Sequence, residues 1–125
     1  MTTEGRDGAR VRVYRAGDVP PGALDGESIA VLGYGNLGRS AALNLRDSGV
    51  NVRIGNRDDQ YAERARADGF EVVSLAAAAS DDIVFMLLPD EVIPEVFSRD
   101  VASELRPRSA VAKPCCIAAA PSTAA

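Results

Sequence analysis

Three glycines with a spacing suited to phosphate binding lie in the short stretch "GYGNLG". Gly33, Gly35 and Gly38 end a compact apolar run, "SIAVLGYG", and open a segment with helical periodicity. In a strand–turn–helix unit, the first glycine permits a tight turn, the second lets backbone approach a pyrophosphate, and the third lets the helix pack on the strand. Free N–H groups at the helix start, near Asn36, would face the phosphates. The stretch predicts dinucleotide binding; the alternative is a structural turn that binds nothing.

A second chemical signal follows the next predicted strand, "VNVRIG". Arg57 could pair with a 2′-phosphate and stack on adenine, which favours NADP(H). An acid at this position would instead bind the ribose hydroxyl of NAD(H). Asp58 and Asp59 directly follow Arg57 and would repel a phosphate, so NAD(H) remains possible. The alternative for Arg57 is a solvated side chain in an ion pair with Asp59 or Glu63.

A third candidate segment, "LLPDE", lies where the most hydrophobic run of the chain, "DIVFMLL", meets the next predicted helix. Ligands of parallel sheets bind beyond the carboxyl ends of the strands. We therefore expect Pro89 and Asp90 to line the cofactor crevice. Alternatively, Asp90 caps the following helix, "DEVIPEVF", in which Pro94 fits only near the first turn. The two roles of Asp90 are compatible.

Segments with strand and helix character alternate along the chain and must position these residues. The first predicted helix places Leu37, Ala41 and Leu45 on one face, and Gly49 is placed to stop it. Predicted strands cover 11–14, 28–35, 50–55, 70–73, 82–88 and 109–112, and predicted helices cover 36–48, 58–68, 74–80 (with Ser74 as N-cap) and 90–97. This alternation predicts βαβ units and an α/β fold, a Rossmann-like doubly wound parallel sheet with flanking helices.

Composition restricts the class of protein. The chain has 125 residues, 46% of them apolar, which suits one globular domain. A net charge of −4 and a pI near 4.8 argue against a nucleic-acid partner. No apolar run is long enough for a membrane span, and the polar start "MTTEGRDGAR" lacks the apolar segment of a signal peptide. We expect a cytoplasmic protein with no membrane partner.

Side chains that usually support acid–base and metal chemistry are scarce. The sequence contains no histidine, and its two cysteines, Cys115 and Cys116, are adjacent. Adjacent cysteines rarely satisfy disulfide geometry, and a structural zinc site is not expected from this set. We therefore assign no catalytic residue and no metal ligand, and no complete active site is visible.

Taken together, these motifs resemble the N-terminal domain of ketol-acid reductoisomerase (acetohydroxy acid isomeroreductase). The resemblance runs from about Val11 to Ala112 and includes "VYRAGDVPPGALDGESIAVLGYG", "ALNLRDSGV", "ADGFEV" and "LLPDEVIPEVF" in that order. It implies an oxidoreductase of branched-chain amino acid biosynthesis that uses NADPH and magnesium. It further implies a nucleotide-binding domain over 11–112, whereas composition predicts a flexible N-terminal arm over 1–10 and an alanine-rich, atypical tail over 113–125.

The resemblance also implies roles for individual residues. Those matching the phosphate-cradling loop are Tyr34, Gly35, Asn36 and Leu37. Arg57 matches the arginine that holds the 2′-phosphate, and Asp90 with its neighbours matches the loop near the nicotinamide. The family's serines after the arginine are missing, with Gln60 and Ala62 nearby in a shorter loop, and Ile93 stands where the family usually has glutamine.

The end of the sequence departs further from the family. "KPCCIAAAPSTAA" replaces the family's phenylalanine and His-Gly pair, and Cys115 falls near the histidine position. The helical C-terminal domain, which carries the magnesium ligands, has no counterpart in these residues. We therefore expect a catalytically incomplete chain, with magnesium relevant only if a separate catalytic domain is supplied. The abrupt change after residue 112 suggests a truncated or frame-shifted reading of a longer gene.

Two alternative functions remain at this point. A deazaflavin-dependent NADP reductase would share "GNLGR" and a strand ending in arginine, and a non-catalytic nucleotide-binding or interaction module would need only the cofactor fold. A bare sheet edge without a second domain predicts self-association or poor solubility, so the expected partners are a second copy of the chain or a separate catalytic chain.

Overall fold

A five-stranded parallel sheet forms the centre of the protein, of which the computed structural model describes residues 2–4 and 10–113. The five strands are β3 (Ser28–Leu32), β4 (Asn51–Gly55), β5 (Val72–Val73), β6 (Ile83–Met86) and β7 (Ala110–Ala112). Their spatial order in the sheet is β5-β4-β3-β6-β7. A separate antiparallel ribbon pairs β1 (Thr2–Glu4) with β2 (Arg10–Arg12). The predicted α/β doubly wound class is confirmed, whereas the expectations for the tail fall almost entirely outside the described residues.

Helices cross over between the parallel strands. They are α1 (Asn36–Asp47), α2 (Gln60–Ala67), α3 (Leu75–Ala78) and α4 (Ile93–Val96), and α4 continues through a π-helical turn (Phe97–Val101) and a 3-10 turn (Ala102–Glu104). A further 3-10 turn covers Ala16–Asp18. Ser74 caps α3 by accepting the N–H of Ala77 at 3.1 Å, as the sequence predicts. Gly49 follows α1 with a φ of +82°, the left-handed conformation that ends helices.

Both faces of the sheet are covered, because successive side chains of a strand point to opposite sides. Ala30 and Leu32 of β3 pack with the helices α3 and α4. Val31 between them packs on the other face, in a cluster with Ala42 of α1 and Ala65 of α2. Leu32 is paired in register with Gly55 of β4 and Met86 of β6, so three strands end together at one edge of the sheet.

The helix face predicted to carry Leu37, Ala41 and Leu45 is only partly buried. Leu37 is 55% exposed, and Gly38 and Ala42 are the buried residues of the helix. The reason is the close crossing of α1 over the end of β3: a Cβ on Gly38 would overlap the carbonyl oxygen of Gly33. Gly38 and Ala42 therefore form the closest contact of α1 with the sheet, and Leu45 packs against the same core cluster.

The helix predicted over 90–97 begins later than expected. Its N-cap is Val92, and a turn precedes it in which the Val92 N–H donates to the carbonyl oxygen of Pro89 at 3.0 Å. The expectation that Asp90 caps this helix is therefore wrong. Pro94 does lie in the first turn, where its missing N–H costs no helical hydrogen bond. The strand predicted over 11–14 is displaced, since β2 ends at Arg12.

One close crossing was not anticipated from the sequence. Gly55 ends β4 directly beneath α3, where an added Cβ would lie 2.5 Å from Cδ2 of Leu32 and 2.6 Å from Cβ of Ala78. Strand and helix therefore approach each other as closely as backbone and methyl groups permit.

Candidate functional site

The carboxyl ends of β3, β4 and β6 open into a cleft of about 750 Å³. Eight of the nine residues predicted to bind a cofactor line it, namely Gly33, Tyr34, Gly35, Asn36, Leu37, Arg57, Pro89 and Asp90. The ninth, Gly38, lies buried behind the loop. Three segments that are distant in sequence are thus brought to one edge of the sheet, as expected for a parallel fold.

The glycine loop leaves β3 through a turn that requires glycine. Gly33 has a φ of +93°, and a Cβ there would lie 2.9 Å from the carbonyl oxygen of Leu87. Its N–H donates to the carbonyl oxygen of Gly55 at 2.9 Å, which fixes the turn against the neighbouring strand. Contacts with Leu87 and Gly55 therefore fix the backbone conformation of Gly33.

Gly35 differs from Gly33, because no protein atom would contact a Cβ added to it. It has an ordinary φ of −76° as the N-cap of α1, and an added Cβ would meet nothing within 4 Å. The N–H groups of Asn36 and Leu37 begin the helix beside it, and Gly35 has no side chain to cap them. Because the first N–H groups of a helix have no intrahelical partner, this open helix start is suited to binding phosphate oxygens.

Tyr34 belongs to this loop, but its side chain is committed to the interior. Tyr34 is 1% exposed, its ring packs edge-on against Phe70 at 5.9 Å between centroids, and its hydroxyl donates to Oδ2 of Asp68 at 2.6 Å. Burial, followed by the hydrogen bond to Asp68, raises the pKa of Tyr34 to about 12. Its phenol therefore acts as a neutral anchor.

Two arginines of α1 complete this anchor around Asp68, the C-cap of α2. Arg39 pairs through Nε with Oδ2 of Asp68 at 2.9 Å. Arg46 donates to the backbone oxygen of Asp68 and lies over the ring of Phe70 at 4.4 Å. Arg39 first, and then Tyr34, lower the pKa of Asp68 to about 2. We call Tyr34, Arg39, Arg46, Asp68 and Phe70 the Asp68 cluster; it ties the glycine loop to α1 and α2.

The loop after β4 is built from polar contacts. Asp59 caps α2, with Oδ1 accepting the N–H groups of Tyr61 at 2.9 Å and Ala62 at 3.2 Å, and the Asn56 amide at 2.9 Å. Its Oδ2 accepts Nε of Arg57 at 3.1 Å. Burial alone would raise the pKa of Asp59, but these hydrogen bonds outweigh it and lower the pKa.

Arg57 itself is 86% exposed, so the ion pair with Asp59 proposed as its alternative role is present on a solvated side chain. The pair uses Nε alone among the guanidinium nitrogens. Neither the ion pair with Asp59 nor its solvent exposure therefore prevents Arg57 from binding a phosphate through its two terminal nitrogens.

Pro89 and Asp90 are exposed at the mouth of the cleft, in the turn before α4. Several lining residues were missed in the sequence, and they come from the helices behind the loops: Tyr61, Val92, Glu95 and Arg99. Helical periodicity could have placed them on the sheet-end side of α2 and α4, but no motif distinguished them.

Neither a metal-binding cluster nor a membrane-spanning helix occurs within the described residues. Across residues 2–4 and 10–113 no three His, Cys, Asp or Glu side chains are grouped so that they could hold a metal ion. In the same part of the chain, no helix has the length and apolar character needed to cross a bilayer.

Comparison with known proteins agrees with this geometry. Residues 23–114 match the family model described as acetohydroxy acid isomeroreductase, NADPH-binding domain. Since the match covers most of the chain, it decides for this family against the deazaflavin-dependent reductases.

Several solved structures are similar to this chain, one of them a ketol-acid reductoisomerase. An NADH-preferring ketol-acid reductoisomerase from an uncultured archaeon is 35% identical, with a TM-score of 0.77 over 82% of this chain and 33% of that chain. A semialdehyde dehydrogenase NAD-binding protein from Cupriavidus necator, solved with calcium and NAD, is 31% identical, with a TM-score of 0.61 over 70% and 32%. Mycobacterium tuberculosis 3-hydroxyisobutyrate dehydrogenase, solved with L-serine, is 32% identical, with a TM-score of 0.61 over 70% and 31%.

The chain thus spans about a third of the length of each of these proteins. The matched fold of this chain is the five-stranded parallel sheet with its glycine loop. On the family match and the shared fold, this chain belongs to the acetohydroxy acid isomeroreductase family, and it corresponds to the NADPH-binding domain.

Proposed function

We propose that the cleft binds NADP(H) and that the chain is the nucleotide-binding part of a ketol-acid reductoisomerase-like oxidoreductase. The observation that carries the proposal is the meeting of the open helix start at Gly35 with the exposed guanidinium of Arg57 in one cleft. When bound, the nicotinamide supplies the hydride for reduction. The residues of this chain bind and orient it.

The pyrophosphate is assigned to the start of α1. The N–H groups of Asn36 and Leu37, together with the positive end of the helix, would bind phosphate oxygens, and the missing side chain of Gly35 lets them approach the backbone. Gly33 and Gly38 contribute indirectly because they hold the turn and the helix in place. Tyr34 contributes through its backbone, since its side chain is buried.

Arg57 is assigned to the 2′-phosphate. Asp59, which the sequence presented as a repelling charge, already accepts four hydrogen bonds and lies at the positive end of α2. Its negative charge is therefore largely compensated, and it holds the Arg57 side chain by Nε. This arrangement supports NADP(H) over NAD(H).

The nicotinamide end is assigned to the turn containing Pro89 and Asp90. This turn follows β6, next to the central strand β3, on the side of the cleft away from β4. A dinucleotide whose pyrophosphate lies at α1 and whose adenosine lies near Arg57 would extend its other half in this direction.

The complete reaction requires residues beyond those described. Magnesium would polarise the acetohydroxy acid during the alkyl shift, and its ligands are expected from a separate catalytic domain or chain. We therefore propose a catalytically incomplete unit over 11–112, acting in the cytoplasm in branched-chain amino acid biosynthesis, and associating with itself or with a catalytic partner.

Calorimetric titration of the folded 125-residue chain with NADPH and with NADH tests the proposal. We expect Arg57→Ala to weaken NADPH binding about tenfold, because a charge-assisted hydrogen bond to phosphate contributes about 1.5 kcal/mol. NADH binding should change less. Arg64→Ala, an exposed arginine of α2 that does not line the cleft, is the matched control. A folded chain that binds neither nucleotide would refute the proposal.

A further inference from the structure

A smaller recess of about 500 Å³ adjoins the cofactor cleft and shares Asn56, Arg57, Leu75 and Arg99 with it. Three arginines from three segments line the recess: Arg57 after β4, Arg66 in the last turn of α2, and Arg99 in the π-helical turn. Asp58 and Asp100 are its acidic lining residues. Among the described residues, the charged side chains that line the recess therefore carry a net charge of +1.

Asp58 is the group in the recess least favourable to a phosphate. It directly follows Arg57 and is 87% exposed. Unlike Asp59, it is not a helix cap. An exposed carboxylate in this place can accept a hydrogen bond from a ribose hydroxyl but repels a 2′-phosphate.

Arg66 opposes this charge from eight residues further along the chain. Its Nη1 lies 3.2 Å from Oδ1 of Asp58, and its side chain is half exposed. Arg99, by contrast, is engaged by acids of its own segment, with Asp100 at 2.9 Å and Glu95 at 3.1 Å. Arg66 is thus the cation that faces Asp58, and its loss would leave this carboxylate without its partner and the recess without net positive charge.

We propose that Arg66 is a specificity-determining residue that acts through Asp58: by compensating this carboxylate, it allows the recess beside Arg57 to accept a 2′-phosphate. The inference rests on the proposed nucleotide-binding function. It places the selection between phosphorylated and unphosphorylated adenosine partly on α2, outside the loop that carries Arg57.

The test measures affinities for NADPH and NADH by calorimetry at low ionic strength. Arg66→Gln should weaken NADPH binding about three- to tenfold, the size expected when one charge near a phosphate dianion is removed in a solvated site. NADH binding should stay within about twofold. Arg66→Lys should keep the preference, since it keeps the charge.

Asp58 provides the reciprocal measurement. Asp58→Asn should strengthen NADPH binding, and the Asp58→Asn/Arg66→Gln double variant should recover the wild-type ratio of the two affinities. A purely structural role of Arg66 would not produce this recovery. Arg64→Gln, on the same helix but outside the recess, should leave both affinities unchanged.

The outcomes separate the two proposals. Equal weakening of NADPH and NADH by Arg66→Gln, or no change in their ratio, would overturn the role of Arg66 alone. Failure of the folded wild-type chain to bind either dinucleotide would overturn the proposed function and this inference with it. Titration with 2′-AMP and 5′-AMP should reproduce the same order, since the recess is expected to select the phosphate and not the nicotinamide.

Discussion

The glycine loop and the loop after β4 line the same cleft, but different forces hold them in place. In the glycine loop, backbone atoms lie so close to Gly33 and Gly38 that a larger residue would not fit at either position, and Tyr34 is fully buried. In the loop after β4, Arg57 and Asp58 are almost fully solvated and are arranged by ion pairs. Packing is intolerant of change, whereas exposed ion pairs are individually weak and can be exchanged.

This difference separates two tasks. The part of the cleft assigned to the pyrophosphate, common to all nicotinamide dinucleotides, is built by close packing. The part assigned to the adenosine phosphate, which distinguishes them, is built from solvated charges. Selectivity can therefore change by substitution in the second loop without loss of the fold.

The largest expected effect comes from Gly38→Ala. The added methyl group would overlap the carbonyl oxygen of Gly33, so α1 must move away from β3, and we expect a loss of about 3 kcal/mol in the free energy of unfolding. Gly35→Ala is the matched control, with open space around the new methyl group and a φ that alanine adopts readily. Urea denaturation should show stability within about 0.5 kcal/mol of wild type for Gly35→Ala, together with weaker NADPH binding. Equal destabilisation by both variants would contradict the comparison.

Tyr34→Phe should have a smaller effect, at about 1.5 kcal/mol, because the ring packing on Phe70 is kept and only the hydrogen bond to a carboxylate is lost. Tyr14→Phe, on an exposed tyrosine outside the cleft, should change the stability little. Urea denaturation of the three proteins at neutral pH measures both effects.

The same pair predicts how the stability difference depends on pH. The pKa of Asp68 is lowered to about 2, so its contribution is complete above its unfolded value of about 3.9 and is lost as the pH falls toward 2. The pKa of Tyr34 is raised to about 12, so its contribution is complete below about 10 and is lost as the pH rises further. A difference between wild type and Tyr34→Phe that stayed constant down to pH 2 would show that Asp68 is not the partner.

The smallest of the predicted stability effects lies in the loop after β4. Asp59→Ala removes a helix cap and should cost about 1 kcal/mol, whereas Asp59→Asn keeps a capping oxygen and should cost only a few tenths. Asp58→Ala, on a solvated side chain that caps no helix, should leave the free energy of unfolding nearly unchanged. Thermal unfolding of the three variants ranks them. A cost for Asp58→Ala as large as that for Gly38→Ala would remove the distinction between packed and solvated loops.

Local signals in the sequence were sufficient for the parallel α/β class and for most of the loop residues that line the cleft. The glycine spacing, the helix stop at Gly49 and the N-cap at Ser74 depend on neighbours a few residues away, and the structure has each of them as predicted. Asp90 was the exception among the caps, because a turn rather than the helix follows it.

Contacts between distant segments could not be predicted in the same way. Tyr34 and Asp68 are 34 residues apart, and nothing in their spacing indicates that a loop residue would reach the end of α2. Helical periodicity placed Leu37 on one face with Ala41 and Leu45, but it could not show that Gly38 makes the close approach of α1 to the end of β3. Arg66 opposite Asp58 is likewise a consequence of the length of α2 and not of a motif.

The crossing at Gly55 has a consequence for how this sequence can vary. A methyl group on Gly55 would occupy the space already taken by the methyl group of Ala78 and by the end of Leu32. A larger side chain at one of these positions therefore requires a smaller side chain at another. Substitutions there are tolerated as compensating pairs and not singly. The strand end that presents Arg57 to the cleft is in this way coupled to a helix that carries none of the residues assigned to the ligand.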